Sequence, residues 1–291
     1  MSNQPPKILV TGANGKLGRL VIAALLKTTP AARIVAIARD AGNIADLAAL
    51  GIATHQADYN APETLDRAFA GVDRLLLISA SEIGKRIAQH ANVIACAKRG
   101  GVKLMAYTSV LHADKSPLGL AADHRATEAA LRDSGLPFVL LRDGWYLENY
   151  TGSAVQAVAQ GAYYGCSGEG RVSAAARADF AQAAATVLTS NEDQAGRIYE
   201  SAGDNSFTMA EFAAELAKQS GKPVAYHDLA PADYRALLVK VGLPEFVADL
   251  LTDSSSCAAK GALFEDGRAL SKLIGRPTTT LAAAVAAALK A

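Results

Sequence analysis

The sequence predicts a doubly wound α/β fold, a mostly parallel sheet with helices on both faces, followed by a smaller, mostly helical C-terminal subdomain. Three observations predict it. Strand-like and helix-like stretches alternate over residues 7–141. The strand candidates are unbroken apolar runs, which suits strands covered on both faces. A glycine-spaced turn follows the first of them and opens the first helix.

The strand candidates are Lys7–Thr11 (KILVT), Arg33–Ala38 (RIVAIA), Ile52–Ala57 (IATHQA), Arg74–Ser79 (RLLLIS), Val102–Thr108 (VKLMAYT) and Pro137–Leu141 (PFVLL). Helix-like stretches lie between them at Gly15–Lys27, Ile44–Leu50, Ala61–Phe69, Gly84–Arg99 and Leu118–Ser134. Such alternation implies right-handed crossovers. After Leu141 the rhythm changes. Glycines cluster in GAYYGCSGEGR (Gly161–Arg171), which reads as a mobile rim, before a helix-like Asp179–Ser190 and a strand-like Arg197–Gly203. An amphipathic helix at Met209–Ser220, a strand at Pro223–Asp228 and further helical pieces follow, the last starting near Thr278 and Leu281.

Composition excludes several classes. The chain has 291 residues and a formal charge of +1, without a run of basic residues. That removes any electrostatic case for nucleic acid or an acidic membrane surface. Cys96, Cys166 and Cys257 are odd in number and widely spaced, so neither a disulfide framework nor a metal site is expected, and a cytoplasmic location is. The opening MSNQPPK lacks the apolar core of a signal peptide and reads as a polar lead-in. No apolar run approaches the roughly 20 residues of a membrane span.

The turn VTGANGKLG places Gly12, Gly15 and Gly18 three apart between a strand and a helix. Glycine permits the tight turn, the close approach of backbone to a pyrophosphate, and tight packing of helix on strand. The helix N-terminus then offers free N–H donors to phosphate. This is the Rossmann arrangement for a dinucleotide. The expected cofactor domain is residues 1–150, with 171–203 returning to it. Residues 204–291, with 151–170, would form the subdomain over the substrate.

Where a site that prefers NAD usually carries an acidic residue, the second strand ends in Ala38-Arg39-Asp40. The Arg39 guanidinium suits the 2′-phosphate of NADPH. Asp40, one residue further, is the competing ribose ligand. Asp58, after the third strand, is a candidate for the adenine amine or else a loop cap.

With these pieces in place, the chain resembles the NmrA-like atypical short-chain dehydrogenases, and within them the bacterial type-2 NADPH:quinone oxidoreductases. The resemblance runs through VTGANGKLG, QADY (Gln56–Tyr59), LLLISASE (Leu75–Glu82), AYTSVLHAD (Ala106–Asp114), LRDGWYLENY (Leu141–Tyr150) and KLIGRPTTTL (Lys272–Leu281). It implies NADPH held by Gly12, Ala13, Asn14, Gly15, Lys16 and Leu17, by Arg39, by Ser79, Ala80 and Ser81, and by the Asp143–Glu148 loop with Gly144, Trp145 and Tyr146. It also makes a quinone the implied acceptor. One departure stands out: where the family commonly has Asn, this chain has Asp143, which as a carboxylate cannot donate a hydrogen bond and would put negative charge near a hydride donor.

Related short-chain enzymes carry a Tyr-x-x-x-Lys acid on the helix after the fifth strand; here LGLAADHRATEAAL presents His124 and Glu128 instead. Substrate chemistry accounts for the loss. A ketone that accepts hydride becomes an alkoxide about as basic as hydroxide, against a water pKa of roughly 15.7. A quinone becomes a phenolate-like anion, with a phenol pKa of about 10. Six units correspond to on the order of 8 kcal/mol, more than the ~10²–10⁴-fold that a general acid supplies. A quinone, or a cationic dye, therefore needs orientation more than an acid.

His124 and Glu128, four apart on a helix, are either an ordinary surface pair or a catalytic pair in which Glu128 steadies His124 to orient or protonate the product. Ser109, at the end of the fifth strand, is a further catalytic candidate, and Tyr107 reads as core. Trp145 and Tyr146 are candidates for stacking on a flat substrate or for core packing; His112 is a candidate pocket residue or else a loop cap, and Glu148 a candidate pocket residue. The expectation is a reductase moving hydride from NADPH to a quinone-like electrophile. The alternatives are a reductase of cationic dyes and an NADP(H)-sensing regulator without catalysis. A homodimer is among the assemblies the sequence allows.

Overall fold

A computed structural model of the protein describes residues 4–82 and 84–290; Met1–Asn3 of the polar lead-in, Ile83 and Ala291 lie outside the described residues. In chain order the strands are β1 (Ile8–Val10), β2 (Ile34–Ala38), β3 (Ala53–Gln56), β4 (Arg74–Leu77), β5 (Leu104–Val110), β6 (Phe138–Asp143), β7 (Ala162–Gly165), β8 (Ile198–Ser201) and β9 (Ala225–Asp228). The first helices are α1 (Lys16–Leu25), α2 (Ala45–Ala49), α3 (Pro62–Phe69), α4 (Arg86–Arg99) and α5 (Ala121–Ser134). Then come α6 (Glu148–Thr151), α7 (Ala154–Gln160), α8 (Arg177–Thr189) and α9 (Met209–Ser220). The last are α10 (Pro231–Lys240), α11 (Glu245–Ala258), α12 (Ala269–Ile274) and α13 (Leu281–Ala288).

The chain divides into two compact units. The first holds the residues through Ala113, Asp123–Asp143 and Arg177–Tyr199; the second holds Asp114–Ala122, Gly144–Ala176 and the residues from Glu200 onward. The boundaries thus differ from the expected ones. Asp114–Ala122, Gly144–Tyr150 and 171–176 lie in the second unit, as do residues 200–203, because that unit draws on the stretches that follow the carboxyl ends of β5 and β6.

The large sheet has the order β3-β2-β1-β4-β5-β6-β8, and the pairs from β3 through β6 are all parallel. This bears out the doubly wound fold class, in which chain order reverses direction between β1 and β4. Unbroken apolar runs become strands because both faces are covered. Leu9, Val35, Ile37, Leu75, Leu77, Met105 and Leu140 share one core with Leu65 and Phe69 of α3 and Val93 of α4. Truncation of a ring buried like Phe69 costs about 3–5 kcal/mol. Helices α1 and α8 pack together, and the small buried Ala181, Ala183, Ala184 and Ala185 of α8 let backbones approach. Arg74 Nη1 donates to the carbonyls of Leu188 and Ser190, both at 2.8 Å, and so closes the C-terminal end of α8.

In the second unit β7 and β9 form a separate parallel pair. The glycine-rich run expected to be a mobile rim is therefore in part a strand. Gly161 ends α7 at φ 67°, and a Cβ at Gly165 would lie 3.0 Å from the Tyr226 hydroxyl, so glycine there makes room for a cross-strand ring. Helix α9 begins in a reciprocal capping box. Glu211 N donates to Thr208 Oγ1 (3.1 Å) and Thr208 N donates to Glu211 Oε2 (2.9 Å). Phe212 of that helix meets Tyr163 edge-on, with ring centres 4.9 Å apart.

Candidate active site

The phosphate turn is built from backbone. Gly12 adopts φ 57°, and Gly15 N donates to Gly12 O at 2.9 Å. Ala13 is fully buried, with its amide on Ile37 O (3.1 Å), which ties the turn to β2. The first α-helical hydrogen bond runs from Arg19 N to Gly15 O. The amides of Lys16, Leu17 and Gly18 precede it, the helix has no side-chain cap and no acidic residue in its first turn, and Leu17 is anchored in the core. Asn14 and Lys16 are exposed beside it. A Cβ on Gly18 would sit 2.3 Å from Gly12 O, so only glycine keeps the turn this tight. Uncapped amides and a turn with no room for side chains fit a pyrophosphate.

Beyond β2 and β3, Arg39, His55, Gln56, Asp58, Thr64 and Arg67 surround a cavity of about 610 Å³. Arg39 is mostly exposed and pairs with Glu82. Asp40, the competing ribose ligand, instead accepts from Gly42 N at 2.8 Å and caps the turn at Ala41–Ile44. Asp58 lines the cavity while accepting from Asn60 N (2.9 Å) and Asn60 Nδ2 (3.0 Å), so it is a loop cap as well. Arg67 is a second cation in this cavity. Sequence reasoning passed over it because an exposed arginine on a helix looks like solvated surface.

The end of β4 is held from beneath by three side chains that the sequence did not mark. Ile78 N donates to Thr11 Oγ1, Ser79 N to Thr108 Oγ1 and Ala80 N to His90 Nε2, each at 2.9 Å. Arg86 Nε donates to Ala80 O (2.8 Å). Ser81, next in the chain, is exposed. His90 Nε2 accepts an amide proton, so Nδ1 bears the ring proton and donates to Thr127 Oγ1 (2.9 Å), which in turn donates to Asp123 O (2.9 Å). Burial, reinforced by the charge of Arg86, lowers the His90 pKa to about 3.

His124 and Glu128 turn to different partners, so the expected contact in which Glu128 steadies His124 is replaced. His124 Nδ1 meets the hydroxyl of fully buried Tyr107 at 2.7 Å. Burial, then Arg86, lowers its pKa to about 3, which leaves a neutral imidazole at physiological pH. Glu128 is 1% exposed and accepts from Ser109 Oγ (2.7 Å), Arg142 Nε (2.9 Å), Arg142 Nη2 (2.7 Å) and Arg132 Nη2 (2.9 Å). Burial pushes its carboxyl up, but these donors and the Arg142 charge outweigh that and hold it below the usual range. Ser109 is thereby tied to a buried ion pair.

Asp143 ends β6, where its carbonyl accepts from Leu111 N (3.0 Å). Burial pushes its carboxyl well above the ordinary value. The negative charge expected there is thus disfavoured. The protonated form can donate one hydrogen bond, as Asn can. Nearby in sequence, His112 holds a left-handed backbone at φ 53°.

In the second unit, Gly144 N donates to Ser201 O (2.7 Å). Residues 145–147 pair with Ala175: Ala175 N donates to Trp145 O (3.1 Å) and Leu147 N to Ala175 O (2.9 Å), which sets Tyr146 opposite Ala175. Glu148 begins α6. Trp145 lines a cavity of about 840 Å³ within this unit, together with Tyr150, Tyr163, Tyr164 and Tyr234 and an aliphatic wall from α10 and α11. Among the described residues no Asp, Glu, Lys, Arg or His lines it. Tyr146, His112 and Glu148 are not among its lining residues.

A family model described as NAD(P)H-binding matches residues 12–191, more than half of the chain. The chain belongs to the NAD(P)H-binding family. The chain is 54% identical to quinone oxidoreductase 2 of Escherichia coli (strain K12) over 96% of its own length and 97% of that protein's. It is similar to the crystal structure of an NADPH-dependent quinone oxidoreductase from E. coli complexed with NADPH, with TM-score 0.95 and 52% identity over 97% of this chain and 99% of that one. It is also similar to the Citrobacter sp. triphenylmethane reductase complexed with NADP(H), with TM-score 0.93 and 37% identity over 97% and 99% of the two chains.

Proposed function

We propose that this protein is an NADPH-dependent oxidoreductase that reduces a neutral quinone to its hydroquinone. One observation carries the reading. The helix where an acid would stand offers no proton at neutral pH, since His124 is neutral and bound to Tyr107 while Glu128 is ionised and locked against Arg142. An acceptor whose reduced form is a phenolate needs no such acid. The relatives named for quinone reduction support the same substrate class.

NADPH, when bound, supplies the hydride. The α1 amides bind its pyrophosphate and Arg39 with Arg67 its 2′-phosphate, so that Glu82 yields Arg39 to the phosphate. Thr11, Thr108 and His90 hold the Ile78–Ala80 backbone at a fixed height beside the nicotinamide half. Ser109, Glu128 and Arg142 keep the ends of β5 and β6 in register from within. They act by positioning. Asp143, with Gly144, Trp145 and Tyr146, faces the nicotinamide in this reading, and its protonated carboxyl donates to the carboxamide. No helix among the described residues is long and apolar enough to cross a membrane, and three buried free thiols fit the reducing cytoplasm.

The test is cofactor oxidation with a panel of benzoquinone, a naphthoquinone, an aldehyde and a cationic triphenylmethane dye. Quinones are expected to turn over fastest. Tight NADPH binding without turnover of any acceptor would leave only a cofactor sensor, and faster aldehyde than quinone turnover would refute the argument from the missing acid.

A further inference from the structure

The cavity of the second unit is unlike the cofactor site in its chemistry. Its volume, about 840 Å³, lies near the top of the roughly 300–1,000 Å³ range of pockets that enclose drug-sized ligands. It is far too large to be filled by a single unsubstituted quinone ring. Leu237 and Leu238 of α10, Val241, and Leu250 and Leu251 of α11 make an apolar wall. Val241 and Leu250 are themselves 63% and 42% exposed, so apolar surface lies open to whatever enters.

The polar part of the lining is neutral: Asn149, Gln156, Gln160, several serines and the tyrosines. Tyr150, Tyr163 and Tyr234 line the cavity, and none of their hydroxyls has a hydrogen-bond partner among the described residues. Burial pushes all three upward, Tyr234 to about 12, so each stays a neutral phenol. A neutral phenol donates to a quinone carbonyl, and its oxygen accepts from a hydroquinone hydroxyl. Neutral phenols can thus serve both redox forms without a charged residue. A lining without carboxylates offers a cationic dye no ion pair, and one without cations offers none to an anionic acceptor.

We propose that this cavity is the acceptor's seat, and that the acceptor is a neutral quinone carrying a second ring or an apolar side chain, held at its oxygens by Tyr150, Tyr163 and Tyr234 and along its apolar part by the α10–α11 wall. This rests on the quinone-reductase reading and narrows it from quinones at large to apolar-substituted ones. Trp145, the one tryptophan of the chain, lines the same cavity and reports occupancy without turnover.

The experiment titrates the NADP⁺ complex, in which no reduction occurs, with 1,4-benzoquinone, a 2-alkyl-1,4-naphthoquinone, a naphthoquinone sulfonate and a cationic triphenylmethane dye, following Trp145 fluorescence. The alkyl-naphthoquinone should bind at least about tenfold tighter than benzoquinone, and both charged probes should bind more weakly than the alkyl-naphthoquinone. Tyr163→Phe and Tyr234→Phe should each weaken the alkyl-naphthoquinone about three- to tenfold. Both should leave NADPH affinity and Tm unchanged, because neither hydroxyl has a partner to lose. Affinity independent of the substituent, or Tyr→Phe variants that bind like the parent, would overturn the proposal while leaving quinone turnover intact. Loss of turnover with every quinone would instead strike the functional reading itself.

Discussion

The two cavities are chemical opposites. One, in the first unit, brings Arg39 and Arg67 to the edge of β2 and α3 and stands open to water. The other, in the second unit, is walled by leucines, neutral phenols, amides and serines and holds no ionisable side chain other than tyrosine among its described lining residues. The contrast teaches where specificity is placed. In the proposed reading, charge selects the cofactor, through a phosphate that meets two guanidinium groups. In the same reading, shape and neutral hydrogen bonding select the acceptor, whose charge would find no ion-pair partner.

The sharpest way to break this comparison is to remove the cations. Arg39→Ala is expected to weaken NADPH about 10- to 100-fold and to leave NADH nearly unchanged. Arg67→Ala should do the same to a smaller extent. Equal losses for NADPH and NADH, measured by titration of cofactor fluorescence, would show that the 2′-phosphate lies elsewhere.

A smaller effect tests the buried acid between the two regions of sequence. Asp143 has a raised pKa in the folded protein, so the unfolded chain releases its proton first as pH rises. The sign follows. Its contribution is fully favourable below the unfolded value near pH 4 and is lost as pH rises toward the folded value. Asp143→Asn should therefore change Tm little at about pH 4 and raise it by a few degrees at about pH 8. A Tm difference that is the same at both pH values would mean that the carboxyl is not held protonated.

The first unit was legible in the sequence because its design is local. Gly12, Gly15 and Gly18 are read three apart in one turn, and the strand runs KILVT and RIVAIA announce burial by themselves. Arg39 was legible by position, at the end of the second strand. What escaped were pairings across the fold. Nothing in the sequence says that Glu128 would choose Arg142 and Ser109 over His124, or that Ala80 N would rest on His90, 10 residues away. Both arise when α4 and α5 are laid on the sheet. The second cavity was least legible, since Tyr150, Tyr163 and Tyr234 come from three separate segments and look like ordinary packing aromatics in each. The short strand β7 was hidden for a related reason: GAYYG reads as a turn until β9 gives it a partner.

The central claim is that reduction proceeds without a proton from a protein side chain. Its most direct test is the single-turnover rate with an alkyl-naphthoquinone, measured with NADPH and with NADPH deuterated at the transferred position, each in H₂O and in D₂O. A clear isotope effect from the deuterated cofactor and a solvent ratio near one are expected. A solvent ratio of about two or more, abolished in His124→Asn, would contradict it and return His124 to the role of acid.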